Sequence, residues 1–177
     1  YKQYDFNGID SELEGKYRKG HFNGVATIVS KLFELFKPNQ AFFGEKDFQQ
    51  TQIVKRLIDL EKHKTKLIIC PTVREKNGLA MSSRNNLLSQ KNRENSSIIF
   101  HNLNYVKTHF KTTDFDQIIS KCIKSINSYD GFKTEYFEIV DSFSLSKQKK
   151  YCENKSYRVF VSVIVDEVRL IDNILLN

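Results

Sequence analysis

Apolar residues recur with a helical period near the start of the chain. Between Phe22 and Phe36 they fall at i, i+3, i+4, i+7, i+8 and i+11, which is typical of one face of an amphipathic helix. Asn23 or His21 is predicted to cap its beginning, and Pro38 prevents its continuation. The apolar stripe predicts that this helix packs against a sheet.

The next three segments read as strand, helix and strand. Short continuous apolar runs at Ala41–Phe43 and Lys66–Cys70 indicate buried strands, and 48–61 has the pattern of a helix between them. This order predicts an α/β arrangement with a parallel sheet. Ligands gather at the carboxyl ends of parallel strands, and both 44–47 and 71–74 follow such ends.

The pattern changes beyond a boundary near residues 84–89, where helices come first and strands follow. The predicted helices and strands cover residues 89–110, 115–126, 133–140, 157–165 and 168–176. Asp114 or Thr113 is expected to cap the second helix, and Asp166 and Glu167 to form the turn between the last two strands. This part is predicted to be a small α+β unit with an antiparallel sheet.

Composition narrows the class of protein. The 177 residues are 40% hydrophobic and 28% charged, with a net charge of +7. No apolar run reaches the roughly 20 residues of a membrane span, and no signal peptide is recognisable, so neither a membrane protein nor an exported one is indicated. The basic residues are scattered, which disfavours a nucleic-acid partner. Three widely separated cysteines show neither metal spacing nor a disulfide pattern, which favours the cytoplasm.

The segment AFFGEKDFQQ, residues 41–50, combines a strand, a glycine and a helix beginning. Free N–H groups and the helix dipole make a helix N-terminus suitable for an anion, and Lys46 adds a mobile cation. Asp47 and Gln50 are three residues apart and are predicted to share a face of the helix. The alternative is an ordinary charged surface turn.

A second polar segment, PTVREKNGLAMSSRN, covers residues 71–85. Asn77 and Gly78 predict a turn. Ser82, Ser83 and Arg84 then provide two hydroxyls beside a guanidinium, which is a second set of phosphate donors.

Five motifs together resemble the pantoate–β-alanine ligase family, over roughly residues 13–177. They are GHFNGV at 20–25, GEKDFQQ at 44–50, PTVRE at 71–75, GLAMSSRN at 78–85 and RLIDN at 169–173. The resemblance implies that residues 1–84 are the end of a Rossmann-like nucleotide-binding domain and that 85–177 form a small α+β lid domain. The family's His-x-Gly-His signature has no match, because no second histidine precedes His21. The chain is therefore expected to be a C-terminal portion that lacks the catalytic histidine and is inactive alone.

The family resemblance also implies a reaction and its participants. Pantoate and ATP form pantoyl adenylate and pyrophosphate, and β-alanine then displaces AMP to give pantothenate. Mg²⁺ is expected to accompany ATP, and the complete enzyme to be a homodimer. No residue of this chain is expected to ligate a metal ion.

Roles for individual residues follow from the same resemblance. The residues implied in catalysis are Lys46, Ser82, Ser83 and Arg84. Those implied in ATP binding are Gly44, Glu45, Lys46, Asp47, Val73, Met81, Ser82, Ser83 and Arg84. Those implied in pantoate binding are Gln50, Ile28 and Val29. The competing interpretations are a non-catalytic folded fragment that self-associates and a basic nucleic-acid module.

Overall fold

The structure is a computed structural model that describes residues 2–177. It divides into two compact units, the first ending at Pro71 and the second extending from Thr72 to Asn177. None of the helices within residues 2–177 has the length and apolar character that crossing a membrane requires.

In the described residues, the first unit contains a pair of parallel strands flanked by helices. In chain order its elements are α1 (Glu14–Tyr17), α2 (His21–Phe36), β1 (Gln40–Gly44), α3 (Phe48–Glu61) and β2 (Lys66–Cys70). Ala41 of β1 lies opposite Leu67 of β2 in a parallel register. The α/β arrangement predicted for this part of the chain is confirmed.

Helix α2 buries a narrower face than its sequence predicts. Ala26, Val29 and Phe33 are buried and pack in one core with residues of α3. Ile28 and Leu32, also part of the predicted stripe, remain exposed. Within the described residues, therefore, only some of the apolar residues of α2 are buried in the core of the first unit.

The beginning of α2 differs from its prediction. Gly20 precedes the helix with φ 76°, a left-handed conformation that glycine adopts at little cost, and no side-chain hydrogen bond caps this end. Asn23 instead accepts a hydrogen bond from the backbone N–H of Tyr4 (3.1 Å). The expectation of a cap by Asn23 or His21 is wrong, because the backbone reaches the helix through glycine.

The second unit is an antiparallel sheet covered on one face by helices. Its elements are α4 (Gln90–Asn95), α5 (Ser97–His109), α6 (Phe115–Asn127), β3 (Phe132–Asp141), β4 (Tyr157–Val165) and β5 (Val168–Leu175). The strand order is β3-β4-β5, with β4 central. A two-residue turn at Asp166 and Glu167 joins β4 to β5, and the side chain of Asp114 caps α6. The predicted α+β class is confirmed.

The helix predicted over 89–110 is interrupted at Ser96. The hydroxyl of Ser96 donates to the carbonyl of Asn92 (2.6 Å), and Ser96 is fully buried between α4 and α5. A serine hydroxyl competes with the backbone for the carbonyl four residues earlier and bends helices. Hydrophobic periodicity does not register this competition, so the sequence predicted one helix where the structure has two.

The packing boundary between the units lies before the segment 72–84. Leu79 belongs to the hydrophobic core of the second unit, and Arg74 forms an ion pair with Asp172 of β5. The sequence placed the boundary near Arg84, at the change in predicted element order. The two boundaries differ because residues 72–84 contact parts of the second unit that are distant in sequence, and such contacts are not visible in the order of predicted elements.

Candidate functional site

The charged triplet after β1 is a turn of 3-10 helix that leads directly into α3. It comprises Glu45–Asp47, and α3 begins at Phe48. Gly44 ends the strand in an extended conformation (φ −73°, ψ 134°), and a Cβ added there would meet no described atom within 4 Å. The 3-10 turn therefore changes the chain direction without a left-handed residue.

Lys46 is more enclosed than the sequence suggested. Its side chain is 18% exposed, and its Nζ lies 3.9 Å from Oδ2 of Asp47, whose side chain is 49% exposed. A mobile cation in a solvated turn was expected. The ammonium group instead lies in a partly enclosed position at the carboxyl end of β1, where its charge is less screened by water.

A cavity of about 1140 Å³ lies beside α2 and the first turn of α3. Gln50, Ile28 and Val29, the three residues predicted to bind pantoate, all line it, together with Gly20 and His21. Ile28 is 60% exposed, which places an apolar side chain on the cavity wall. The cavity thus brings an amide together with aliphatic surface, a combination suited to a small, polar but partly aliphatic ligand.

The neighbouring glutamine, Gln49, has a structural role that the sequence analysis missed. Its buried amide donates to the carbonyls of Ile9 (2.6 Å) and Glu12 (2.8 Å) and accepts from the N–H of Glu14 (3.0 Å). These bonds fasten the loop before α2 to α3. Its position in the sequence could have indicated this role. Gln49 lies four residues before Ile53 and so on the same buried helix face, where a glutamine needs hydrogen-bond partners.

Glu61, at the end of the same helix, collects four hydrogen bonds. Its carboxylate accepts from Lys2, from the hydroxyls of Tyr4 (3.1 Å) and Ser30 (2.7 Å), and contacts Nε2 of His63 (2.9 Å). Burial raises the pKa of Glu61, but these hydrogen bonds outweigh it and lower the pKa to about 2. This cluster joins the beginning of the chain to α2 and α3, and it includes His63 in the same hydrogen-bonded network.

In the second unit, the segment after β2 forms a short hairpin. The backbones of Arg74 and Ala80 form an antiparallel β-bridge, and the N–H of Met81 donates to the carbonyl of Val73 (2.9 Å). Gly78 makes the turn with φ 93°. The predicted turn is thereby located, and Val73 and Met81 are paired with both side chains exposed.

Ser82, Ser83 and Arg84 follow the hairpin directly. The hydroxyl of Ser82 accepts a hydrogen bond from the N–H of Arg84 (3.2 Å) and caps the 3-10 helix Ser83–Leu87. The Ser82 oxygen is thus partly used within its own turn, while its proton remains able to donate. Of the three residues, Ser83 and Arg84 are exposed and Ser82 is half-buried.

The residues predicted from sequence therefore form two groups. The first unit holds Gly44 to Asp47 at the carboxyl end of β1, and Gln50, Ile28 and Val29 around the cavity. The second unit holds Val73 and Met81 to Arg84 on one hairpin and the turn after it. Within residues 2–177, no three histidine, cysteine, aspartate or glutamate side chains are grouped as a metal site would require.

Comparison with protein families gives a match over almost the whole sequence. The model of the family described as pantoate-beta-alanine ligase matches residues 1–175. The pantothenate synthetases of Flavobacterium psychrophilum and Christiangramia forsetii are each 43% identical over 176 residues, which is 99% of this chain and 62% of each relative. The chain thus spans about three fifths of the length of the curated relatives it matches.

Solved structures agree with the sequence comparison. The pantothenate synthetase of Thermus thermophilus superposes with a TM-score of 0.88 at 30% identity, over 99% of this chain and 63% of that one. The pantoate-beta-alanine ligase of Francisella tularensis, complexed with beta-gamma ATP and beta-alanine, gives a TM-score of 0.72 at 31% identity, over 99% of this chain and 57% of that one.

Proposed function

The chain belongs to the pantoate-beta-alanine ligase family, and we propose that its natural full-length protein condenses pantoate with β-alanine at the expense of ATP. The observation that carries this proposal is the cavity of the first unit. Gln50 lies more than twenty positions beyond Ile28 and Val29 in the sequence, yet all three residues line the cavity. The family match over residues 1–175 supports the same reaction.

The proposed reaction has two steps. A carboxylate oxygen of pantoate attacks the α-phosphorus of ATP, and pyrophosphate leaves to give pantoyl adenylate. The amine of β-alanine then attacks the acyl carbon, AMP leaves, and pantothenate is released. Negative charge shifts among the phosphate oxygens in the first step, so fixed cations and N–H donors are the main catalytic requirement.

In the first unit, pantoate binds in the cavity. Gln50 binds its hydroxyl or carboxylate through an amide that both donates and accepts. Ile28 and Val29 contact the dimethyl carbon. The cavity volume of about 1140 Å³ exceeds what pantoate alone occupies, which leaves room for the reacting phosphate.

Each unit contributes its own candidate groups for the nucleotide. In the first unit, Lys46 neutralises phosphate charge and Asp47 accepts from a ribose hydroxyl, while Gly44 and Glu45 present backbone groups. In the second unit, Ser82, Ser83 and Arg84 donate to the phosphates, and Val73 and Met81 flank the adenine with exposed apolar side chains. The substrate is the Mg²⁺ complex of ATP, because Mg²⁺ is commonly bound by substrate phosphates and water rather than by a protein cage.

We place the reaction in the cytoplasm and the complete enzyme in a homodimer. Cys70, Cys122 and Cys152 are free thiols, which fits a reducing compartment. Leu35, Phe36 and Phe42 are exposed apolar side chains, and such surface supports association. Self-association without catalysis is the competing function that the same exposed residues favour.

The test is a reaction balance with the natural full-length protein. Pantoate, β-alanine and MgATP should yield AMP, pyrophosphate and pantothenate in equal amounts. Without β-alanine, exchange of labelled pyrophosphate into ATP should continue and should require pantoate. A protein that self-associates but shows neither exchange nor pantothenate formation would contradict the proposal and favour the competing function.

A further inference from the structure

Two of the sequence motifs contain charged residues with no part in the proposed chemistry, and the structure joins them. Arg74 of PTVRE donates from Nη1 to Oδ2 of Asp172 (2.6 Å) and from Nη2 to Oδ1 (3.0 Å), and Asp172 belongs to RLIDN, 98 residues later. The side chains of Arg74 and Asp172 are 17% and 3% exposed. This is a bidentate ion pair in a largely enclosed position, the arrangement that fixes a guanidinium most firmly.

Arg74 is held by more than this ion pair. Its Nη1 also donates to the carbonyl of Gly78 (3.0 Å), and its guanidinium carbon lies 3.9 Å from the centre of the Phe100 ring. Asp172 also accepts from the N–H of Asn173 (2.8 Å). The guanidinium therefore ties the turn of the hairpin to α5 and β5 at once.

The hairpin passes this constraint to the residues after it. The Arg74–Ala80 bridge places the two arms together, and the N–H of Glu75 donates to the carbonyl of Leu79 (2.8 Å). Met81 and Val73 form the next pair of the hairpin, on the side away from its turn. Fixing Arg74 therefore fixes the point from which the serine-serine-arginine turn departs.

The far side of that turn has its own attachment. The buried amide of Asn85 donates to Oε1 of Glu75 (2.7 Å) and to the carbonyl of Ala80 (3.1 Å). Arg93 in turn donates to both carboxylate oxygens of Glu75 (3.0–3.2 Å). Residues 82–84 thus lie between two anchored positions.

We propose that Asp172 is a positioning residue for nucleotide binding, acting through Arg74 to hold residues 81–84 ready for the phosphates. This inference rests on the proposed function. Stability alone explains the pair poorly, since buried ion pairs are often replaceable by apolar residues without loss of stability. Orientation explains it better, because the pair stands at the base of the hairpin that carries the predicted phosphate donors.

The test compares three variants of the natural full-length protein. Asp172→Asn removes the charge of the acceptor, and Arg74→Lys keeps the charge but loses the bidentate geometry. Ile126→Ala is the control, because it truncates a fully buried side chain at the end of α6 in the same core. For each variant, kcat and KM are measured for ATP and for pantoate. Amide hydrogen exchange of residues 76–82 is compared with that of β4 in the protein without ligands.

Asp172→Asn should lower kcat/KM for ATP by about 10- to 100-fold, because misplacing a binding group reduces the rate by about that factor. The KM of pantoate should change by less than about twofold. Exchange at 76–82 should accelerate while β4 stays protected. Arg74→Lys should also impair the use of ATP more than that of pantoate, with a smaller effect. If Asp172→Asn does not fold, the result for Arg74→Lys tests the proposal. Ile126→Ala should lower stability without selectivity for ATP.

The proposal fails if the ATP parameters of Asp172→Asn match the wild type, or if Ile126→Ala reproduces its ATP defect. It fails also if amide hydrogen exchange at residues 76–82 is unchanged in both Asp172→Asn and Arg74→Lys. Failure of the proposed function is a separate outcome. In that case the wild-type protein catalyses no ligation, while the exchange experiment still decides whether Asp172 holds the hairpin.

Discussion

At the scale of single residues, the position of Lys46 determines what its removal should do. The side chain is 18% exposed, so its truncation removes some packing of the aliphatic stem together with a charge. We expect Lys46→Ala to fold, with a loss in the free energy of unfolding of about 1 kcal/mol. Pantoate-dependent formation of the adenylate at saturating ATP should fall roughly 100-fold, because a fixed cation near the phosphates is lost.

The control for Lys46→Ala is Lys55→Ala, at an exposed position of α3. It removes the same charge from the same unit and should leave both rate and stability unchanged. A wild-type rate for Lys46→Ala, measured by rapid quench, would show that the 3-10 turn after β1 is an ordinary charged surface.

Glu61 gives the first unit a stability that depends on pH. Its pKa is about 2 in the folded protein, against an ordinary value of 4.5. A folded-state pKa below the unfolded one contributes stability that is complete above about pH 4.5 and is lost as the pH falls toward 2. At one unit per 1.36 kcal/mol, the contribution at pH 7 is at most about 3 kcal/mol.

Urea unfolding of Glu61→Gln should reveal this contribution. The variant should be less stable than the wild type at pH 7, and the difference should shrink at about pH 3, as the linkage between protonation and folding requires. Glu34→Gln, at an exposed position of α2, is the matched control and should show little difference at either pH. A deficit for Glu61→Gln that is equally large at both pH values would contradict the assigned role of its charge.

At the scale of elements, most helices and strands could be predicted from the sequence. α3, β2 and β4 have the predicted bounds, because uninterrupted apolar periods and flanking polar residues mark them. The break at Ser96 and the glycine start of α2 could not be predicted. Both depend on local backbone hydrogen bonding, which hydrophobic periodicity does not report.

Gly78 is the position where the hairpin depends most on backbone conformation. Its φ is 93°, and an added Cβ would lie 2.5 Å from Cδ1 of Phe100. Gly78→Ala should therefore lower the free energy of unfolding by about 1–3 kcal/mol. Gly24→Ala is the control, since Gly24 lies inside α2 with no described atom within 4 Å of an added Cβ.

Thermal unfolding measures both glycine variants. Gly24→Ala should be neutral or stabilising by about 0.5–1 kcal/mol, as expected for alanine in a helix. A Gly78→Ala variant as stable as the wild type would mean that the hairpin tolerates another turn conformation.

At the scale of the whole molecule, each of the two units carries its own group of candidate site residues. Both groups were predicted from short sequence motifs and from the resemblance to the family, although Ile28 and Val29 lie on α2 and Gln50 lies on α3. The long-range attachments were not predictable: Arg74 with Asp172 and Lys2 with Glu61 lie far apart in sequence. A pattern read along one chain does not show which charged residues meet.

The resemblance also predicts that residues 85–177 act as a lid over ATP, and this remains a proposal. The structure assigns residues 72–84 to the same compact unit, so we expect them to move with it. Small-angle scattering of the natural full-length protein should give a smaller radius of gyration with pantoate and a non-hydrolysable ATP analogue. An unchanged radius with both ligands bound would count against a lid.

The central claim is that the first-unit cavity binds pantoate, and Gln50→Ala tests it most directly. Gln50 lines the cavity, whereas Gln52, two residues later on α3, does not and serves as the control. In the full-length protein, Gln50→Ala should raise the KM of pantoate about tenfold or more, with the KM of ATP changed less than about twofold, because about 1.4 kcal/mol of hydrogen bonding is lost. Gln52→Ala should match the wild type. Equal pantoate KM values for Gln50→Ala and wild type, in folded and active enzyme, would contradict the account.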